Sequence, residues 1–171
     1  MPNVWVIGDP HFYHNNIIKY ENRPFSSVDE MNKALIANWN SKVRKDDKVI
    51  VAGDFCFKAT EHAKEILDNL KGYKILIMGN HDTVSPMRFI EAGFKEVYRY
   101  PIIYDGFYII SHEPMYINAN MPYANIFAHV HSNPAYADYT NQTFCVSVER
   151  PELNYYPIEF NRIKKLMSSV K

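Results

Sequence analysis

Nine residues in this chain have the types and spacing of a metal-dependent hydrolytic site. Asp9 and His11 stand two apart, as do His129 and His131; Asn80, His81 and Asp82 are consecutive; Asp54 and His112 stand alone. In an extended segment, residues i and i+2 project to the same side, so each spaced pair can aim two donors into one cleft. Mixed carboxylate, amide and imidazole donors suit borderline divalent metals such as Mn, Fe, Zn or Ni, whereas an all-carboxylate set would favour Ca or Mg. Nine candidates are too many for one tetrahedral ion, and seven ligands would be about right for two ions sharing a bridging carboxylate. Two metals roughly 3.5–4 Å apart can generate a hydroxide at neutral pH and clamp both oxygens of an in-line phosphoryl displacement.

Five short apolar runs each end on one of these residues. They read Val4-Trp5-Val6-Ile7-Gly8-Asp9, Val49-Ile50-Val51-Ala52-Gly53-Asp54, Ile75-Leu76-Ile77-Met78-Gly79-Asn80, Tyr108-Ile109-Ile110-Ser111-His112 and Ile126-Phe127-Ala128-His129. A buried strand that stops at a polar donor places it at the sheet edge. Core packing has no use for a polar group at every strand end.

The elements between these runs alternate at first. Strand 3–9 leads through a polar loop to a helix near 28–43, where Ser27 and Glu30 form a capping box and Val28, Met31, Leu35, Trp39 and Val43 form one stripe. Strand 48–53 leads to a helix near 60–71, capped by Thr60 and stopped at Gly72, with Ala63, Ile66, Leu67 and Leu70 inward. Strand 74–79 leads to a short helix from Ser85-Pro86 to Gly93. This order predicts parallel strands with right-handed crossovers. The second half is mostly β. Val97 to Tyr104 and Phe107 to Ser111 flank Asp105-Gly106, a hairpin signal. Strands near 125–130 and 143–149 follow, then a helix from about Asn161 to Val170. The reading is an α/β protein with two packed sheets and helices on their outer faces.

With 171 residues, one domain spanning 1–171 with a full-sized core is expected. Nineteen basic and nineteen acidic side chains cancel, which argues against a general nucleic-acid binder. The start has no basic leader, its apolar stretch is short and it runs into Asp9, so no signal peptide is expected. No stretch approaches a membrane span. Cys56 and Cys145 lie far apart in apolar sequence and read as reduced packing residues, which suits a cytoplasmic protein.

The blocks Asp9-Pro10-His11, Gly53-Asp54, Gly79-Asn80-His81-Asp82, His112 and Ala128-His129-Val130-His131 resemble the calcineurin-like metallophosphoesterases. The resemblance covers nearly the whole chain in the family's order. It is nearest to the small bacterial and phage phosphoesterases, which carry stretches similar to Asn15-Asn16-Ile17-Ile18 and Asn22-Arg23-Pro24-Phe25. It implies a four-layer α/β/β/α sandwich of two mixed sheets, with two divalent ions, Mn first among them, at the strand ends. It also implies roles. Asp9, His11 and His131 would hold the first metal, and Asn80, His112 and His129 the second, with Asp54 bridging. His81 would stabilise charge or protonate the leaving oxygen, and Asp82 would orient it. One departure stands out: the family's last block usually begins with Gly, and here Ala128 adds a methyl where backbones approach closely.

The expected activity is hydrolysis of a small phosphodiester or phosphomonoester, nucleotide-like substrates included, by a metal-bridging hydroxide. His14, three residues beyond His11, and Arg23, with its planar fork, are candidate phosphate contacts. Phe12, Tyr13 and Tyr116 read first as packing residues in a chain with thirteen tyrosines and ten phenylalanines. The rival reading is a protein-interaction scaffold on the same fold, against which the intact ligand set and His81 count.

Overall fold

Each apolar run forms a strand, because aliphatic and β-branched side chains covered on both faces need no polar alternation. The computed structural model describes residues 2–170. In it β1 (Val4–Ile7), β2 (Lys48–Ala52), β3 (Tyr73–Ile77) and β4 (Glu96–Tyr98) pair in parallel in the order β4-β3-β2-β1. The second sheet has the order β5-β6-β7-β8, formed by β5 (Ile102–Tyr104), β6 (Tyr108–Ile110), β7 (Ala124–Phe127) and β8 (Thr143–Cys145). Here β5 and β6 are antiparallel and the other pairs parallel. A two-residue β9 (Ile158–Glu159) pairs antiparallel with β1, so both sheets are mixed. Between the strands run α1 (Asn15–Tyr20), α2 (Val28–Lys42), α3 (Ala59–Asn69) and α4 (Pro86–Ala92), and α5 (Phe160–Ser169) follows β9. The steps from β1 to β4 all move one way, so right-handed crossovers place α2, α3 and α4 on one face. α5 touches strands of both sheets, β1, β9 and β8, and sets Phe160 edge-on against Tyr104 and Tyr108. This is the α/β fold with two mixed sheets that the sequence implied.

One continuous apolar core runs through both sheets, from Val49–Ala52 of β2 to Ile126 of β7 and Phe144 of β8. Asp105 and Gly106 take φ of 52° and 69°, the left-handed pair that a tight hairpin demands. The run expected as one strand from Val97 to Tyr104 is instead two. Glu96–Tyr98 joins the first sheet and Ile102–Tyr104 begins the second. Pro101, which has no N–H to donate, lies in the crossing between them. The capping box at α2 is also split: Ser27 Oγ accepts from Glu30 N at 3.1 Å, but the Glu30 carboxylate turns to the backbone and hydroxyl of Ser26. At α3 the cap is Lys58 in a left-handed conformation rather than Thr60. Lys74 of β3 reaches back to donate to Leu67 O and Leu70 O, supplying the cation that the last turn of α3 lacks.

The two sheets join where the ligand loops begin. Gly8 extends β1 into a bridge with Ser147, donating to Val146 O at 2.7 Å. The Ala128 methyl occupies the place that a side chain on Gly8 would need. The extra methyl at Ala128 is thus matched by a missing one at Gly8. Gly8→Ala should cost about 1–3 kcal/mol through overpacking. Adding Ala128→Gly should recover part of that loss, with the Val146 carbonyl still close. Urea unfolding of the metal-free proteins measures the cycle, and additive costs would rule the methyl out as the obstacle.

Among the described residues, no helix is long and apolar enough to cross a membrane. Cys56 and Cys145 are both buried and free.

Candidate metal centre

The strands end and the chain turns sharply. Asp9, His11, Asp54, His129 and His131 all have positive φ, between 47° and 70°. The spaced pairs therefore do not share a cleft by being extended, as the sequence suggested; left-handed turns aim them. Such a backbone costs non-glycine residues of order 1–3 kcal/mol each, and such outliers gather at functional sites. Gly53 and Gly79 precede ligand positions because a side chain on either would run into the His112 ring, and one on Gly79 into the Asp54 carboxylate as well.

These turns gather the expected donors into two groups. Ligand atoms of Asp9, His11 and His131 lie within 4.8 Å of one another, as do those of Asp54, His112 and His129. Asn80 joins the second group, its Oδ1 2.9 Å from His112 Nε2 and 3.0 Å from His129 Nδ1. Asp54 stands between them, with Oδ2 3.4 Å from both His11 Nε2 and His112 Nε2. His112 Nδ1 meets Ala52 O at 2.9 Å, which as a donor leaves Nε2 free for a cation. Two buried atoms of the first group, Asp9 Oδ1 and His11 Nε2, have no hydrogen-bond partner among the described residues. Orphaned donors of this kind, in a set of imidazoles, carboxylates and one amide, fit divalent cations.

The electrostatics point the same way. Burial pushes the Asp9 carboxyl up to about 6, against the opposing charges of His131 and His112. Burial drives His11 down to about 2, so its imidazole is neutral. Burial would also raise Asp54, but its bond to His112 and the nearby imidazoles hold it at about 2. His112 rises to about 9 despite burial, because Asp54 and Asp9 favour its charge. Without an ion, a protonated His112 thus offsets carboxylates where a metal would otherwise do so.

The remaining expected residues fall differently. His81 lies exposed at the pocket, its ring centre 5.5 Å from that of His11, and its backbone N–H donates to Asp54 Oδ1 at 2.8 Å. Asp82 does not orient that ring. Its two oxygens accept from Phe55 N and Gly79 N, tying the two glycine-led loops together, and burial pushes its carboxyl up to about 7. His14 lines the pocket, with Nδ1 3.1 Å from His11 Nδ1 and its ring stacked on Phe57. Arg23 does not face the pocket as a phosphate clamp would. Its side chain is fully buried, and its nitrogens bond Glu149, Asp9 O and Pro10 O. Phe12 is core, and Tyr13 stacks on His62. Sequence reasoning missed Glu149, although Phe144-Cys145-Val146-Ser147-Val148-Glu149 is a sixth apolar run ending on a carboxylate.

The pocket is a cleft of about 450 Å³. Larger hollows beside α5 gather no ligand set.

Two groups of candidate metal ligands thus stand at the strand ends of a two-sheet α/β fold. The chain belongs to the calcineurin-like phosphoesterase family, whose sequence pattern matches residues 2–166. It is 36% identical to the uncharacterised protein MJ1445 of Methanocaldococcus jannaschii, over all of this chain and 94% of that one. It is also 36% identical to the gene 66 protein of Mycobacterium phage L5, over 51% of this chain and 43% of the phage protein. Among solved structures it is similar to AQ665 of Aquifex aeolicus, a protein of unknown function, with a TM-score of 0.73 and 26% identity over 97% of this chain and all of that one.

Proposed function

We propose that the chain hydrolyses small phosphodiesters with two divalent ions, Mn foremost and Fe, Zn or Ni as alternatives. The observation that carries this reading is Asp54, one carboxylate oxygen equidistant from an imidazole of each donor group. Asp9, His11 and His131 would hold one ion, and Asn80, His112 and His129 the other. When bound, such a pair supplies a nucleophile from water at neutral pH and neutralises phosphoryl charge. The chain's own part is to fix the donors, admit the ester to the cleft and present His81 beside its leaving oxygen.

Two features support a diester with a planar group. Among the described residues, those lining the cleft include Glu21 and five histidines but neither Lys nor Arg, so beyond the two ions the extra charge of a monoester dianion has no basic side chain to meet. At the rim, Tyr20 is 68% and Phe57 44% exposed, with the His14 ring between them, stacked on Phe57 at 5.0 Å and edge-on to Tyr20. Such rings suit a nucleobase or aryl group. The balance of nineteen basic against nineteen acidic side chains favours small esters over long nucleic acid. The buried free cysteines fit a reducing, cytoplasmic setting.

The test uses protein stripped by chelation and reloaded with Mn²⁺. Bis-p-nitrophenyl phosphate should be turned over faster than p-nitrophenyl phosphate, and the metal-free protein should be silent. No turnover of either, or of cyclic and linear dinucleotides, by protein holding two ions would instead favour the scaffold reading.

A further inference from the structure

Glu149 belongs to none of the expected roles, yet it sits behind the first donor group. Its side chain is 4% exposed, and its Oε1 lies 3.1 Å from His131 Nδ1. The same oxygen accepts from Arg23 Nε at 2.9 Å and from a terminal nitrogen of that guanidinium at 2.6 Å. Arg23 in turn donates to the carbonyls of Asp9, at 2.8 Å, and Pro10, at 2.9 Å. One chain of bonds therefore runs from the backbone of the Asp9 loop, through Arg23 and Glu149, to the His131 ring. It joins residues 126 apart in sequence.

We propose that Glu149 is a positioning residue for the first metal site, accepting a hydrogen bond from the Nδ1–H of His131 so that Nε2 is left to the group with Asp9 and His11. This rests on the two-ion reading above. An imidazole can offer a metal only the nitrogen that carries no proton, and a carboxylate behind the ring decides which one that is. Arg23 adds register, because it grips the loop bearing Asp9 and His11 with the hand that holds the carboxylate behind His131. Both halves of the first donor group are thereby set against one buried ion pair.

A different role for Glu149 is as a ligand itself. Atoms of Glu21, His131 and Glu149 also lie within 4.8 Å of one another, and Glu149 Oε2 has no hydrogen-bond partner among the described residues. The Arg23 guanidinium argues against it, since a dication on this carboxylate would sit beside a fixed positive charge.

The test is Mn²⁺ titration of the metal-free protein, with free Mn²⁺ followed by electron paramagnetic resonance. The wild type should bind two ions. Glu149→Gln should keep one at wild-type affinity and weaken the other by about 10- to 100-fold, the range for a lost partner behind a metal-bound histidine. In a His112→Ala background, where the second group is broken, the weakened ion should be the one that remains. Long-range ¹H–¹⁵N spectra of the metal-free protein should show His131 protonated at Nδ1 in the wild type and lose that preference in Glu149→Gln. Melting curves check that the variants fold. If Glu149→Gln does not, Glu149→Asp carries the same test, since it keeps the charge beside Arg23 and draws the oxygen away from His131. Two ions bound with unchanged affinity in the variant would overturn the role of Glu149 alone. Three ions in the wild type and two in the variant would make it a ligand and overturn the proposal likewise. A wild type that bound no Mn²⁺ would overturn the two-ion reading and this one with it.

Discussion

Asp54→Ala should remove turnover and leave the chain unable to hold a pair of ions. Among the described residues, its Oδ2 is the only carboxylate oxygen that stands 3.4 Å from a histidine of each donor group. Its Oδ1 also accepts the His81 amide at 2.8 Å, so the substitution frees the loop that carries Asn80 and His81. A metal pair contributes several kcal/mol of charge stabilisation to such a reaction, and each 1.4 kcal/mol is a factor of ten. The expected loss in kcat/KM on bis-p-nitrophenyl phosphate is therefore roughly a thousandfold or more. Metal analysis after desalting should find fewer than two ions per chain. Two retained ions with turnover within tenfold of the wild type would deny Asp54 the bridging place.

His81→Ala should behave in the opposite way toward metal. Among the described residues the ring makes no hydrogen bond to the donor groups, and the backbone N–H that meets Asp54 survives the substitution. Both ions should stay, KM should change little, and kcat should fall by about 10²- to 10⁴-fold, the range for losing a positioned proton donor. The loss should be larger for an ester whose leaving oxygen is an alkoxide than for one releasing p-nitrophenolate, which departs without a proton. Equal losses on both esters would point to charge stabilisation in place of proton transfer. Full activity on every ester would remove His81 from the chemistry.

Long, uniformly apolar segments made most of the fold readable. Ile50, Val51, Leu76 and Ile126 are inaccessible on both faces of their sheets, and such runs have few alternatives to a buried strand. Short elements gave no comparable signal. Helix α1 buries only Ile17 in six residues, and β9 is two residues held by the edge of β1. Segment 97–104 misled because its apolar residues continue across a crossing between sheets. In the site, side chains that end strands announced themselves, as Asp54 and His112 do. Side chains whose task depends on a distant partner did not. Nothing near Arg23 reveals that its guanidinium meets a carboxylate 126 residues on, and nothing near Asp82 shows that Phe55 N takes one of its oxygens.

The two oxygens of Asp9 serve different masters. Oδ1 belongs with the first donor group and accepts no hydrogen bond among the described residues, while Oδ2 accepts from His129 N and Ser147 Oγ, across the junction of the two sheets. Under the proposed chemistry, reaction and architecture thus both call on one carboxylate. A chain of this fold without hydrolytic activity would still need an acceptor at position 9, and would keep Asp or Asn there for the sake of its shape. It would have no comparable reason to keep the imidazole of His81. Of the residues that mark this family, the one with the least to hold together is the most telling witness that a chain still does chemistry.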